Sequence, residues 1–289
     1  MFRFGYCGWL LAGKRLPDMI QFLANEGFNS VSWLQSIMNY EESERKEAAA
    51  AIKELNFTLC WHGNVQANLT KDFHINEEFT RKMLQDVLWW HENTNGVVSC
   101  CSDAISAVTP DHPNGVYLKE DTWKLLQMES EFFENSGTSI GYGIENSCLR
   151  QDKTGYARIK DMQEFKNQLS CPEHVGMIFD VGHANLYLNR TPEDNLNLVE
   201  YMKQLPFKIY EIHVTDNHGQ KDEHLIPGEG NIDYTQMYEG VQAIGFDGVI
   251  SLEVCKDILK GYYSFDLNDS KEQDMIRLAR DRFLNAFHA

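Results

Sequence analysis

Short apolar runs alternate with longer amphipathic segments along the whole chain. Eight runs have the length and the β-branched and aromatic content of strands, and they occupy residues 2–7, 28–34, 57–62, 96–101, 139–145, 175–181, 208–214 and 248–254. The segments between them follow the helical period; one of them places Ile75, Phe79, Met83 and Val87 at intervals of four residues. Because strands that alternate with helices pair in parallel, the pattern predicts an α/β fold.

Residues that favour helix starts mark several of the amphipathic segments. Pro17 opens one helical pattern, and residues 41–55 are rich in strong helix formers. Residues 191–194 (TPED) combine an N-cap residue, a proline at the first helical position and an acidic first turn, so a helix is predicted to begin at Thr191. Residues 227–230 (PGEG) are interpreted as a turn ahead of a helix at 233–244.

Eight strand–helix units in 289 residues favour a closed (β/α)8 barrel that spans residues 1–289 as a single domain. The alternative is an open, doubly wound sheet. Such sheets carry a G-x-G-x-x-G turn after the first strand when they bind dinucleotides, whereas residues 5–13 read GYCGWLLAG. The barrel is therefore the preferred prediction.

Composition narrows the class of protein. The net charge of −17 argues against nucleic acid as a partner, since a phosphate backbone favours basic surfaces. No apolar stretch approaches the roughly 18 residues of a membrane span, and glycines interrupt the N-terminal segment, unlike a signal peptide. The seven cysteines include no C-x-x-C pair, and this predicts reduced thiols and a cytoplasmic location. The sequence leaves open whether the chain forms a homo-oligomer.

Polar side chains end several of the predicted strands. At the carboxyl ends of barrel strands, where such folds build their active sites, the sequence places His62, Glu145, Asn146, Asp180, His213 and Glu253. A single residue of this kind is readily explained by a salt bridge. Four consecutive strands that end in a carboxylate or an imidazole converge on one point, and this convergence indicates a functional site.

The predicted metal site takes one residue from each of the last four strands. These residues are Glu145, Asp180, His213 and Glu253. Three clustered carboxylates would repel one another, and a divalent cation removes that cost. The oxygen-rich donor set favours Mn²⁺, with Mg²⁺, Co²⁺ or Zn²⁺ as alternatives.

The loop after His213 adds further metal-capable side chains. Asp222 and His224 could form a second metal site with His183, which lies just beyond Asp180. The rival interpretation, which we prefer for an acidic enzyme of small molecules, is that His183 and His224 bind substrate oxygens or support the ligands. His218, in the same loop, is expected to face solvent.

Four segments resemble the xylose isomerase-like barrel superfamily, which holds sugar isomerases and epimerases together with the endonuclease IV family. They are residues 143–146 (GIEN), 179–187 (FDVGHANLY), 211–233 and 245–254 (GFDGVISLEV). The resemblance implies a metal held by the four strand-end residues, with Glu145 and Glu253 also acting as acid and base. It places His183 on a substrate oxygen, and we add His62, Asn146 and His224 as further substrate-binding candidates.

The endonucleases of this superfamily imply a different use of the same positions. There, the residues matching His183, Asp222 and His224 hold one metal of a three-zinc cluster, and those matching His62 and Glu145 help to hold another. These enzymes also need a histidine at the end of the fourth strand, where residues 96–103 read GVVSCCSD. The absence of that histidine and the acidic charge count against DNA repair.

The sequence thus predicts a metal-dependent isomerase or epimerase of a small sugar, sugar phosphate or related polyhydroxy-carbonyl compound. One glutamate takes a proton from the substrate, an enediolate forms, and a proton returns at another face or carbon. An inosose-type dehydratase, an endonuclease-like phosphodiesterase and a binding protein without catalysis stay open as alternatives.

Overall fold

The computed structural model describes residues 2–34, 38–63, 74–109, 112–147, 157–169, 175–257 and 263–287. Within these ranges eight parallel strands follow one another around a closed barrel. They are β1 Arg3–Cys7, β2 Ser30–Leu34, β3 Thr58–Gly63, β4 Val97–Ser102, β5 Gly141–Glu145, β6 Val175–Asp180, β7 Lys208–Val214 and β8 Val249–Leu252. Strand β1 closes the barrel against β8, with Arg3 opposite Val249. The predicted barrel is confirmed, and the open sheet is excluded.

Helices connect the strands and cover the outside of the barrel. In chain order they are α1 Leu16–Asn25, α2 Glu42–Glu54, α3 Glu77–Asn93, α4 Lys119–Ser136, α5 Ile159–Gln168, α6 Val181–Arg190, α7 Leu198–Gln204, α8 Tyr234–Ala243 and α9 Ser270–Phe287. Short 3-10 helices occupy Gly8–Leu10 and Pro192–Asp194, and an antiparallel hairpin joins Ser106–Thr109 to His112–Tyr117. Met83 and Val87 of α3 are fully buried, as the helical period predicts.

The predicted helix start after Thr191 is present, but it opens only a short 3-10 helix, and Thr191 does not cap it through its side chain. Its hydroxyl donates to the carbonyl of Tyr187 instead of capping a helix, and the residues that follow form only the 3-10 turn Pro192–Asp194. Helix α7 begins at Leu198, where the side chain of Asn197 accepts a hydrogen bond from the Glu200 amide. The turn predicted at 227–230 and the helix after it are both present.

The interior of the barrel below its carboxyl-terminal mouth contains a buried acid. Glu211 of β7 is fully buried and accepts hydrogen bonds from Ser251 (2.5 Å) and Ser32 (3.2 Å). Barrels of this kind usually fill their interior with branched apolar side chains. Short hydroxyl side chains around a carboxylate therefore set this interior apart.

The loops that follow β1 and β8 are joined at the mouth of the barrel. Leu11–Ala12 pairs in parallel with Phe265–Asp266, and the Ser264 hydroxyl donates to the carbonyl of Trp9 at 3.3 Å. We call this pair of two-residue strands the mouth clasp. It holds the 3-10 helix Gly8–Leu10, and with it Trp9, next to the ends of the strands.

The cysteines in the described ranges are unpaired and buried; they are Cys7, Cys60, Cys100, Cys101 and Cys255. Cys148 and Cys171 lie outside those ranges. None of the helices that the structure describes is long and apolar enough to cross a membrane.

Candidate functional site

The four predicted metal ligands meet at the carboxyl ends of β5, β6, β7 and β8. One ligand atom each from Glu145, Asp180, His213 and Glu253 lies within 4.8 Å of the others, and all four residues are buried. The Nδ1 atom of His213 is 3.3 Å from Glu145 Oε1 and 3.1 Å from Glu253 Oε2. The structure thus brings together the residues that the strand-end pattern selected.

Each of these side chains presents a buried atom that makes no hydrogen bond to any described residue. The atoms are Glu145 Oε1, Asp180 Oδ2, His213 Nδ1 and Glu253 Oε2. An unpaired buried polar atom costs about 1–3 kcal/mol, so native proteins rarely leave four of them together. Three carboxylate oxygens and one imidazole nitrogen around one point suit a divalent cation, and the residues present therefore fit a metal ion.

The buried Glu211 lies behind His213. Its Oε1 atom is 3.5 Å from Nε2 of the imidazole, on the side opposite to the two glutamates of the site. A carboxylate behind a histidine is a frequent way to fix the ring so that its other nitrogen faces a cation. Sequence reasoning missed Glu211, although its spacing of two residues from His213 places both side chains on one face of β7.

We call Glu145, Asp180, His213 and Glu253 the four-residue set. In this set burial and neighbouring charges shift the pKa values in opposite directions. Burial raises the pKa of Asp180 to about 7. Burial also raises the pKa of Glu145, but the imidazoles of His213 and His62 outweigh it and hold that pKa well below its usual range. Burial lowers the pKa of His213, whereas Cys7, Glu253 and Glu211 together raise it well above its usual value. The buried carboxylates of this set therefore favour a positive charge among them.

His62, at the end of β3, connects Glu145 to an acid that sequence reasoning missed. Its Nε2 atom is 3.1 Å from Glu145 Oε2 and 3.5 Å from Asp103 Oδ1. Burial lowers the pKa of His62, but Asp103 and Glu145 raise it to about 9. Asp103 directly follows β4, where the endonuclease pattern has a histidine, so its place after a strand was the available signal.

Two histidines share Asp222 beside the four-residue set. His183 donates from Nδ1 to the carbonyl of Asn146 at 2.7 Å, and His224 donates from Nδ1 to the carbonyl of Glu253 at 2.9 Å. Their Nε2 atoms lie 3.3 Å and 3.1 Å from the same oxygen of Asp222. Both rings are thus fixed with Nε2 toward one point, which suits either a substrate hydroxyl or a second cation.

Two other predictions concern side chains near this group. Asn146 is fully buried, and its amide accepts from the Asp180 amide at 2.7 Å and donates to the Asp180 carbonyl at 2.9 Å. It therefore fixes the position of Asp180, while its predicted contact with substrate stays a prediction. His218 is exposed and pairs with Glu223 at 3.0 Å, as expected.

The end of β1 adds two side chains that sequence reasoning did not select. The thiol of Cys7 lies with the ligand atoms of His213 and Glu253 in a cluster within 4.8 Å. The indole of Trp9 packs over the site, with its centroid 5.0 Å from the ring of His62 and 5.8 Å from that of His213. Cys7 was interpreted only as a small apolar residue in a strand, although it ends that strand at the same mouth.

A family model described as the xylose isomerase-like TIM barrel matches residues 20–280. The chain belongs to this family. Membership confirms the resemblance seen in the sequence and agrees with the closed barrel and its strand-end site.

Relatives of this xylose isomerase-like barrel include two uncharacterised proteins of Methanocaldococcus jannaschii. One is 31% identical over 193 residues, which are 57% of this chain and 61% of the relative. The other is 31% identical over 97 residues, which are 32% of this chain and 35% of the relative. The matched part thus spans less than two thirds of the length of either relative.

Solved structures of sugar epimerases are similar to this barrel. The D-psicose 3-epimerase of Clostridium cellulolyticum with D-tagatose has a TM-score of 0.70 at 16% identity, over 99% of each chain. An L-ribulose 3-epimerase has a TM-score of 0.70 at 14% identity, over 100% of this chain and 95% of that one. The 3-keto-D-glucoside 4-epimerase of Escherichia coli has a TM-score of 0.65 at 16% identity, over 97% and 100%. At these identities the similarity shows a shared fold.

Proposed function

We propose that this xylose isomerase-like barrel is a divalent-metal-dependent isomerase or epimerase of a small sugar or related polyhydroxy-carbonyl compound. The observation that carries the proposal is the convergence of four buried donor atoms, none with a well-formed hydrogen bond to a described residue, at the ends of four neighbouring strands. The substrate class is supported by the structural neighbours, whose names describe epimerases of D-psicose, L-ribulose and a 3-keto-D-glucoside.

The metal would be held by Glu145, Asp180, His213 and Glu253, and the three carboxylates make Mn²⁺ the first candidate. When bound, a divalent cation polarises a carbonyl and its neighbouring hydroxyl and so acidifies the carbon between them. Glu211 and Asn146 would keep the imidazole of His213 and the carboxylate of Asp180 in place.

The proton transfers are assigned to Glu145 and Glu253. Their carboxylates approach the same nitrogen of His213 from β5 and from the end of β8. In the proposed complex the substrate meets one carboxylate on each face of the reacting carbon. One glutamate removes the proton next to the carbonyl, and the other returns a proton from the opposite side, which inverts that carbon.

The surrounding histidines would orient the substrate. His183 and His224 present Nε2 toward Asp222, and His62 donates to Glu145 from the other side of the site. A hydroxyl group of a polyol is both a donor and an acceptor, so it can replace the carboxylate as the partner of each of these imidazole nitrogens. We therefore assign substrate contact to His183, His224 and His62.

Solvent exchange tests the proposed proton transfer. A panel of ketoses, inososes and hydroxypyruvate is incubated with the protein and Mn²⁺ in D₂O, and proton NMR follows the carbon next to the carbonyl. We expect deuterium to enter a true substrate at this carbon. Glu145→Gln or Glu253→Gln should slow turnover by roughly 10²–10⁴-fold, since each substitution removes a proton acceptor.

Glu229→Gln, at an exposed position in the turn at 227–230, is the matched control. Metal occupancy is measured in each variant. Turnover without any exchange or internal proton transfer at that carbon would exclude the mechanism.

A metal-dependent phosphodiesterase is the second candidate, because two further ligand clusters adjoin the four-residue set. His62, Asp103 and Glu145 form one, and His183, Asp222 and His224 form the other. Asp103 also places a carboxylate at the end of β4, where the sequence lacks the histidine that the endonuclease resemblance requires. The two candidates differ in the number of cations that the chain binds.

A further inference from the structure

Cys7 places a thiol at the mouth of the barrel, next to two of the proposed metal ligands. It ends β1, which closes the barrel against β8, so its side chain reaches the site from the strand next to Glu253. Its Sγ atom and one ligand atom each of His213 and Glu253 lie within 4.8 Å of one another, and all three residues are buried.

The two residues beside the thiol contact each other but do not form a well-aligned hydrogen bond. Nδ1 of His213 and Oε2 of Glu253 are 3.1 Å apart, and neither makes a hydrogen bond to any residue that the structure describes. His213 is fully buried and Glu253 is 8% exposed. Buried polar atoms without a well-formed hydrogen bond are rare, so these two atoms indicate a ligand at the point that the thiol also faces.

The donor types distinguish this cluster from the four-residue set. A thiolate, an imidazole and a carboxylate form a soft to borderline set, which suits Zn²⁺ or Cd²⁺ and does not suit Mn²⁺ or Mg²⁺. We infer that Cys7, His213 and Glu253 form a binding site for a thiophilic divalent cation that overlaps the four-residue set. On binding, a sulfur–metal bond forms and the thiol proton is released to solvent.

The overlap makes the two binding modes exclusive. His213 and Glu253 belong to both sets, while Cys7 belongs only to the thiophilic one and Asp180 only to the other. A thiophilic cation therefore displaces the oxygen-preferring cation instead of joining it. The inference shares two ligands with the proposed function, but both binding modes are measurable without turnover.

Cadmium titration tests this overlap. The metal-free full chain is titrated with Cd²⁺, and ultraviolet absorption follows the sulfur-to-cadmium charge-transfer band. We expect one equivalent of Cd²⁺ to develop the band in the wild type and Cys7→Ser to abolish it. The affinity for Cd²⁺ should fall on the order of a hundredfold in that variant, while the affinity for Mn²⁺ changes by less than about threefold. Cys255→Ser is the matched control, because this buried thiol follows Glu253 closely but belongs to none of the described ligand clusters.

Displacement in the wild type supplies a test that needs no variant. Electron paramagnetic resonance should detect one free Mn²⁺ for each Cd²⁺ added to the Mn²⁺-loaded protein. Absence of the band, its survival in Cys7→Ser, or retention of Mn²⁺ beside Cd²⁺ would each overturn the inference. If Mn²⁺ binds and no band forms, the inference fails alone. If a Cys7-dependent band forms and Mn²⁺ does not bind at all, the proposed function fails and the thiophilic site stands.

Discussion

At the scale of single residues, His213 organises the site because its two nitrogens face different groups. Nδ1 faces Glu145 and Glu253, whereas Nε2 faces Glu211 in the barrel interior. The direction of this one ring therefore determines whether an imidazole nitrogen is available at the mouth.

Metal content is the first quantity that the four-residue set predicts. We expect one divalent ion per chain, and we expect Asp180→Asn or His213→Ala to weaken its binding by on the order of a hundredfold or more, since each removes a ligand. Elemental analysis and equilibrium dialysis against Mn²⁺ measure both. His218→Ala, which changes an exposed histidine of the same loop, should leave the metal content unaltered. Two or three tightly bound zinc ions per chain would favour the phosphodiesterase.

Substitution of Glu211 tests the support behind His213. We expect Glu211→Gln to lower the affinity for Mn²⁺ about 10–100-fold, because an amide fixes the imidazole less strongly than a carboxylate does. Ser32→Ala removes only the 3.2 Å hydrogen bond to Glu211 and should have a smaller effect. Dialysis measures the affinity, and thermal unfolding measures the stability of each variant. A lower melting temperature with unchanged Mn²⁺ affinity would make Glu211 a purely structural residue.

The strand-end rule selected the four proposed ligands, but it missed Asp103, Cys7 and Glu211 for physical reasons. Asp103 lies one residue beyond β4, and a sequence pattern does not resolve a strand end to one residue. Cys7 has the polarity of a core residue, so its position alone marks it. Glu211 lies inside an apolar run, and the hydroxyls that accommodate it come from β2 and β8, which are distant in sequence.

At the scale of helices and strands, the burial of both faces made the barrel strands predictable. Parallel strands covered by helices are nearly continuous apolar runs, and β7 has the predicted bounds, Lys208–Val214. Residues 192–194 form a 3-10 helix and not the start of an α-helix, because the same residue types favour both structures. Asn197 competes as an N-cap, and only the tertiary fold decides between them.

The contact between α9 and the end of α1 predicts a pH-dependent stability. Arg277 binds both carboxylate oxygens of Glu26, and Arg280 adds a 3.0 Å contact. Hydrogen bonds from Arg277 lower the pKa of Glu26 in the folded state. The stabilisation is therefore complete above the usual glutamate pKa of about 4.3 and is lost as pH falls through the lower folded-state pKa.

Glu26→Gln should thus reduce the free energy of unfolding by about 1 kcal/mol at pH 7, a value limited by the partial exposure of Arg277. The difference from the wild type should shrink as the pH falls below the usual glutamate pKa of about 4.3, toward the lower folded-state pKa. Urea denaturation at pH 7 and at a series of lower pH values measures it, with Glu134→Gln on the exposed face of α4 as control. A loss that is the same at every pH would show that the ion pair does not cause it.

At the scale of the whole molecule, the net charge predicts which partners the protein avoids. With 43 acidic and 26 basic residues, the chain should neither bind nor cleave duplex DNA that contains abasic sites at physiological salt. Gel-shift and incision assays with Mn²⁺, Mg²⁺ and Zn²⁺ measure both properties. Incision that a chelator abolishes would defeat this prediction and support the phosphodiesterase.

The mouth clasp places an optical reporter, the indole of Trp9, beside the candidate functional site. By pairing Leu11–Ala12 with Phe265–Asp266 it fixes the indole of Trp9 within 6 Å of two imidazole rings. Protonated imidazole quenches indole emission, so the fluorescence of Trp9 depends on the charge that His62 and His213 carry. A cation bound at the four-residue set would change the charge beside the indole, and the difference in emission between the wild type and Trp9→Phe would isolate that signal. Occupancy of the site can thus be followed in a cuvette, without label or substrate.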